Sequence, residues 1–384
     1  MCNPFRWCES KSYRNNLPLL YNTIFEKAIV LCFALYFLTW VGYNLDDESF
    51  EGGTRMYVEL LEQWNSKKRQ AWRDLLRTAE LEPDEDVTQT ALLWDEDTLV
   101  ATASRRGNLL KCIAVADSRR GEDLTSTVLS ALRQEAFAEG YRHLFLYTKP
   151  QNAALFSSVF FYPVAKTNDV LLMENRRDGI SEFLNSLSRS SAGGTVGAVV
   201  MNCNPFTKGH RYLIETAAKD CDHLYVFVVA EDKSRFPFAD RLRMVQNGTA
   251  DLANVTVLST GPYLISSATF PTYFLKQRDR VQEIQCALDI EIFTRYFVPH
   301  FGITRRYIGE EPLSPMTAQY NEALKRHLPP HGITCHEIPR LAQAGHPISA
   351  SEVRRLMEQS HAEAVAALVP ATTFEFLKEN GYIE

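Results

Sequence analysis

Thr207, Gly209 and His210 lie in a short polar turn, Asn202-Cys203-Asn204-Pro205-Phe206-Thr207-Lys208-Gly209-His210, that follows the apolar run Val196–Met201. The run is β-branched and uncharged, as a buried parallel strand is. After the turn, Leu213/Ala217 and Ile214/Ala218/Cys221 recur at helical spacing. The expected unit is a strand, a turn and a helix. A helix start offers unpaired N–H groups and partial positive charge to an anion. Gly209 lets the backbone approach a ligand closely. His210 can donate to a phosphate oxygen, and Thr207 can do so from the turn. Taken alone, Thr-x-Gly-His also describes an ordinary capped loop whose histidine bonds to backbone.

A second helix start lies far downstream, at Pro347-Ile348-Ser349-Ala350-Ser351-Glu352-Val353-Arg354-Arg355. Ser349 or Ser351 stands near the cap. Two hydroxyls and a guanidinium at one helix entrance suit a triphosphate. They equally suit a capped surface helix with a solvated arginine. Between the two starts, Lys233-Ser234-Arg235-Phe236-Pro237-Phe238-Ala239-Asp240-Arg241 places a basic residue, aromatics and an Asp-Arg pair before a helix.

The elements that must position these residues alternate as strand and helix: Val196–Met201, a helix, Leu224–Val229, helix Ala239–Asn247, Val255–Leu258. That order predicts an α/β open parallel sheet with ligands at the carboxyl ends of its strands. Helices 350–358, 362–368 and 371–380 close the chain. Residues 56–178 carry an α+β pattern. A helix over 58–79 leads to strands near 90–94, 99–104 and 108–116, then helix 125–139, strand 143–148 and helix 151–158. The Ser/Gly-rich stretch 186–194 is the best domain boundary. The expected division is an extension 1–55, a domain 56–185 and a domain 195–384.

The 384 residues are 45% hydrophobic and 23% charged, with net charge −6 and no basic stripe. This is globular composition with room for two or three cores, and it disfavours a nucleic-acid partner. The eight cysteines form no CxxC pair, so neither a zinc ribbon nor a disulfide framework is indicated. No metal ligand is named. Residues 28–45 are uncharged and close to membrane-spanning length. They read as a membrane segment, as a helix packed on the protein, or as upstream sequence joined by a wrong start codon. The last is the preferred reading, and a cytoplasmic protein is expected.

The paired helix starts resemble the two signature motifs of the HIGH-type nucleotidylyltransferase superfamily. More closely, NPFTKGHRYLIE, EDKSRFPFADRL, ISSATFPTYFLK (265–276), DIEIFTRYFVPH (289–300), Tyr307-Ile308-Gly309-Glu310-Glu311-Pro312 and Thr317–Asn321 resemble the citrate lyase ligases. The likeness covers about residues 90–380. It implies a Rossmann-like parallel sheet of the nucleotidylyltransferase type behind a GNAT-like α+β domain. The implied enzyme is an acid–thiol ligase that turns acetate and ATP into acetyl-adenylate and pyrophosphate. It then acetylates the thiol of a phosphoribosyl-dephospho-CoA arm on the acyl carrier subunit of citrate lyase, which activates the lyase.

On that resemblance His210 and Thr207 act on the α-phosphate. Ser349, Ser351 and Arg354 hold the β- and γ-phosphates. Gly309, Glu310 and Glu311 lie by the ribose or adenine. Asn204, Phe206, Gly209, Lys233 and Arg241 complete the nucleotide-binding set, and Lys208 is a weaker phosphate candidate. Mg2+ is implied by the triphosphate. Asn204 stands where much of the superfamily has Asp. In the first domain, Arg120-Gly121-Glu122-Asp123-Leu124-Thr125 resembles a GNAT pyrophosphate loop with Asp123 and Thr125 replacing small residues. Phe160-Phe161 stands where Gly-Phe is usual. The expectation is that this domain docks the CoA-like arm, the alternative being a spacer without ligand. Rival readings of the whole chain are an adenylyltransferase acting on a phosphorylated precursor, such as phosphopantetheine or a nicotinamide nucleotide, and a nucleotide-binding regulator.

Overall fold

Strand β8 (Val196–Met201) is central in a five-stranded sheet. The other strands are β9 (His223–Val228), β10 (Val255–Ser259), β11 (Arg305–Gly309) and β12 (Thr334–Ile338), in the order β10-β9-β8-β11-β12. Every pairing is parallel. The apolar run predicted this, because β9 is buried along its whole length by helices on both faces. The computed structural model describes residues 56–190, 193–230, 233–264, 270–275, 278–312, 314–343 and 345–383. The expectations for residues 1–55, including the apolar run 28–45, and for much of ISSATFPTYFLK lie outside the described residues. Among the described residues no helix is long and apolar enough to cross a membrane.

The helices of this half follow the sequence closely. Lys208–Lys219 buries Ile214, Ala217 and Ala218 against the sheet, and Phe238–Thr249 buries Met244 and Val245. Ala350–Glu358, Ala362–Leu368 and Ala371–Glu379 close the chain. Two further helices, Val281–Ile292 and Pro315–His327, cover β11 and bring their own polar residues toward its carboxyl end.

The first half is a seven-stranded sheet in the order β1-β2-β3-β4-β5-β7-β6. Its strands are β1 (Met56–Leu61), β2 (Gln89–Asp95), β3 (Thr98–Arg106), β4 (Leu109–Val115), β5 (Phe145–Thr148), β6 (Tyr162–Lys166) and β7 (Leu171–Glu174). All pairs are antiparallel except β4 with β5. That pair joins only Leu109 to Phe145 and Leu110 to Leu146. Beyond it the strands part, which is the splayed centre of a GNAT-like sheet.

One element differs from expectation. The continuous helix over 58–79 is instead strand β1, pairing antiparallel with β2, followed by helix Ser66–Thr78. Asn65 breaks the run, because its side chain caps the helix by accepting from Lys68 N–H at 2.8 Å. Ahead of it, Tyr57, Val58 and Leu60 satisfy an edge strand. The stretch 186–194 does connect the two sheets, yet one hydrophobic core runs across it, from Trp72 and Leu92 to Tyr225 and Phe297. Residues 56–384 form one compact unit.

Candidate active site

The turn after β8 is locked by reciprocal caps. Thr207 is the N-cap of Lys208–Lys219, and its hydroxyl accepts from His210 N–H at 3.3 Å. His210 Nδ1 accepts in return from Thr207 N–H at 3.0 Å. An imidazole that accepts at Nδ1 carries its proton on Nε2. The ring stacks on Phe206, with centroids 6.0 Å apart and planes at 12°, and lines a cavity of 370 Å³. Burial, with the charge of Arg340 adding to it, pushes the imidazole down to about 4. His210 is therefore a neutral donor at pH 7, aimed where an anion would sit.

The second helix start meets the first. Ser349 caps Ala350–Glu358 by accepting from Glu352 N–H at 3.1 Å. A Cβ at position 209 would stand 3.3 Å from the Ile348 carbonyl oxygen, so glycine there lets the two helix starts touch. Arg354 donates from Nη1 to the Asn204 carbonyl at 2.5 Å and from Nη2 to Ser351 Oγ at 3.2 Å. Burial lowers its pKa, with repulsion from Arg235 adding to the shift. An anion beside it would relieve both effects.

Thr207, Gly209, His210, Gly309 and Glu310 all line the cavity, together with Ile348 and Ala350 at the second helix start. The other expected residues surround it in supporting positions. The Phe206 ring is fully buried under His210 and fills the space that a side chain at Gly248 would need. Asn204 Oδ1 accepts from Phe236 N–H at 3.2 Å. Arg241 is wholly buried. Its guanidinium donates to the carbonyls of Asn202, Val229 and Phe236 at 2.8, 2.8 and 3.0 Å, fastening the turn after β8 to the segment after β9. Lys233 pairs at 3.0 Å with Asp86, which lies beyond the first helix. Lys208 donates at 2.7 Å to the Ala367 carbonyl at the end of helix Ala362–Leu368. That contact occupies the ammonium that the resemblance offers as a weaker phosphate candidate.

Sequence reasoning missed Asn321, Arg340 and Arg306. Asn321 donates to the Gly309 carbonyl at 2.8 Å and fixes the end of β11. Arg340 pairs with Glu311 at 2.6 Å. Arg306 lines the cavity from within the sheet. Arg306 and Arg340 are lone polar residues that no local pattern marks, whereas Asn321 ends the family-like segment Thr317–Asn321, which was the signal that could have found it. Among the described residues no three His, Cys, Asp or Glu side chains gather as a metal-binding group.

A second cavity, of 860 Å³, opens where β4 and β5 part. Arg120, Gly121, Asp123, Thr125 and Asn152 line it. So do Tyr273 and Phe274, from the family-like segment 265–276. Tyr273 donates from its hydroxyl to the Tyr147 carbonyl at 3.2 Å, and its own carbonyl accepts from Glu82 N–H at 2.8 Å.

Residues 196–377 match the family described as the citrate lyase ligase C-terminal domain. The citrate (pro-3S)-lyase ligase of Klebsiella pneumoniae is 40% identical over 328 residues, 84% of this chain and 95% of that protein. The Escherichia coli K12 protein of the same name is 39% identical over 322 residues, covering 82% and 91%. Among solved structures, Escherichia coli ElaA aligns at 16% identity and TM-score 0.29 over 32% of this chain and all of its own. Thermotoga maritima TmcAL, solved with alpha-thio ATP, aligns at 17% identity and TM-score 0.31 over 48% of this chain and 55% of its own. With its residues matched so extensively to those two ligases, this chain belongs to the citrate lyase ligase family.

Proposed function

We propose that this chain activates acetate with ATP and passes the acetyl group to a thiol on the acyl carrier subunit of citrate lyase, switching the lyase on. The observation that carries this reading is the meeting of two capped helix starts on one cavity, which Thr207, Gly209 and His210 line from the first and Ile348 and Ala350 from the second. Acetate is already ionised at pH 7, so the site needs donors rather than a base. A carboxylate oxygen attacks the α-phosphorus, the bond to pyrophosphate breaks, and acetyl-adenylate remains. His210 Nε2–H and the free amides of the first helical turn stabilise the charge on the α-phosphate. Ser351 and Arg354 hold the departing pyrophosphate. Magnesium would enter on the triphosphate oxygens, where it neutralises charge. The supporting test is acetate-dependent exchange of labelled pyrophosphate into ATP. Exchange that requires a phosphorylated nucleotide precursor instead would favour the adenylyltransferase reading.

For the second half-reaction, the carrier's phosphoribosyl-dephospho-CoA arm docks in the cleft between β4 and β5. Its thiol attacks the carbonyl of acetyl-adenylate and AMP leaves. The 860 Å³ cavity supports this, as does its lining by Tyr273 and Phe274. Deleting the first domain would expose the shared core, so a cleft-filling variant is the better probe. Asn152→Trp should slow carrier acetylation and leave pyrophosphate exchange unchanged. Equal rates in both assays would exclude the cleft. Use of ATP suits a cytoplasmic protein.

A further inference from the structure

Arg306 sits on β11 and is 3% exposed. Its Nε and Nη1 are buried without a hydrogen-bond partner. One face of the guanidinium lies 4.8 Å from the Phe293 ring centroid. The nearby carboxylate is Asp289, which accepts from the Tyr320 hydroxyl and acts on Arg306 through its charge, without a hydrogen bond between them. A buried guanidinium whose N–H groups lack acceptors is costly, and the cost is removed when a planar, two-oxygen anion binds its fork. Arg306 lines the same cavity as His210 and Gly309, and Cys286, Met316 and Ile308 add apolar surface to that lining. A guanidinium with unfilled N–H donors beside apolar surface matches a short-chain monocarboxylate: one charged end and a methyl group.

We propose that Arg306 binds the carboxylate of the acid substrate and presents it to the α-phosphate at His210. The proposal rests on the acetate-activating reading above and deepens it by naming where the acid is held. Asn321 and Tyr320 act through position, the one by fixing the Gly309 carbonyl and the other by engaging Asp289.

The test uses the full chain with two variants, Arg306→Lys, which keeps the charge but loses the fork, and Arg306→Met. Acetate-dependent pyrophosphate exchange should show KM for acetate raised about 10- to 100-fold, the scale of a lost charged hydrogen-bond pair. KM for ATP should stay within threefold. Saturation-transfer NMR of the acetate methyl group, with a non-hydrolysable ATP analogue present, should give a signal in the wild type that both variants lose. An unchanged acetate KM, or parallel weakening of ATP and acetate, overturns the assignment. Wild-type acetate binding without any exchange would refute the activation reading while leaving Arg306 as the carboxylate site. Should Arg306→Met fail to fold, Arg306→Lys decides alone.

Discussion

The Arg354 guanidinium donates to the main-chain carbonyl of Asn204, 150 positions earlier, at 2.5 Å. The bond ties the second helix start to the turn that carries Thr207 and His210. Arg354 thus closes the site, and in the proposed function it also holds the outer phosphates. Arg354→Met should raise KM for ATP about 10- to 100-fold, on the scale of lost charged hydrogen bonds. AMP, which lacks the outer phosphates, should bind to the variant nearly as it does to the wild type. Titration calorimetry with both nucleotides checks this, and equal losses for the two would place Arg354 away from the β- and γ-phosphates.

His210 should behave as a neutral donor. His210→Ala is expected to lower turnover about 100- to 1000-fold, the scale for removing one transition-state donor. Because burial holds the folded imidazole near 4, kcat should show no step from this group between pH 6 and 8. Stability carries the opposite signature. The unfolded chain takes up the proton near pH 6.5, whereas the folded chain resists it until about 4. The folded state therefore loses stability as pH falls through that window and is unaffected above it. Urea midpoints measured from pH 7 to 4 should fall less steeply in His210→Ala than in the wild type.

Ser349 separates capping from phosphate binding. Its hydroxyl accepts from Glu352 N–H, so Ser349→Ala should cost about 1 kcal/mol of stability. Ser349→Asp keeps an acceptor and adds charge that suits a helix N-terminus, so stability should return. The same charge repels a triphosphate, so KM for ATP should be higher in the Asp variant than in the Ala variant. Thermal melts and ATP titrations read the two effects independently. A wild-type KM in Ser349→Asp would mean that the phosphates stay clear of this cap.

What was legible in the chain was local. Strand β8, the cap at Thr207 and the helix Ala350–Glu358 follow from runs of fewer than a dozen residues with clear periods and caps. The misread helix at 58–79 fails for a related reason: an edge strand and a helix sit end to end, and their apolar residues merge into one apparent row unless Asn65 is taken as a cap. Residues whose roles depend on distant partners left no pattern. Lys208 looks like a phosphate ligand from its motif, but its ammonium is held by the Ala367 carbonyl. Arg241 joins the nucleotide-binding set by resemblance, yet it is the buried fastener of the turn. Arg306 and Asn321 became site residues only once β11 was placed beside β8.

The one motif departure with a clear energetic consequence is Phe160. Helix Ala153–Ser158 ends in a Schellman arrangement. Phe160 N–H donates to the Ser157 carbonyl at 3.2 Å, and Phe161 N–H donates to the Phe156 carbonyl at 3.0 Å. Phe156 and Phe161 are buried, as the hydrophobic contact of that cap requires. Phe160 occupies the left-handed position, at φ 65, where glycine is the usual residue. Its ring is 65% exposed, so it recovers little by burial. The left-handed backbone costs an L-residue about 1–2 kcal/mol. Glycine removes that cost and returns part of the gain as extra freedom in the unfolded chain. Phe160→Gly should therefore stabilise the protein by about 0.5–1 kcal/mol, seen as a higher urea midpoint at unchanged slope. A lower midpoint would mean that the ring makes contacts worth more than its backbone strain.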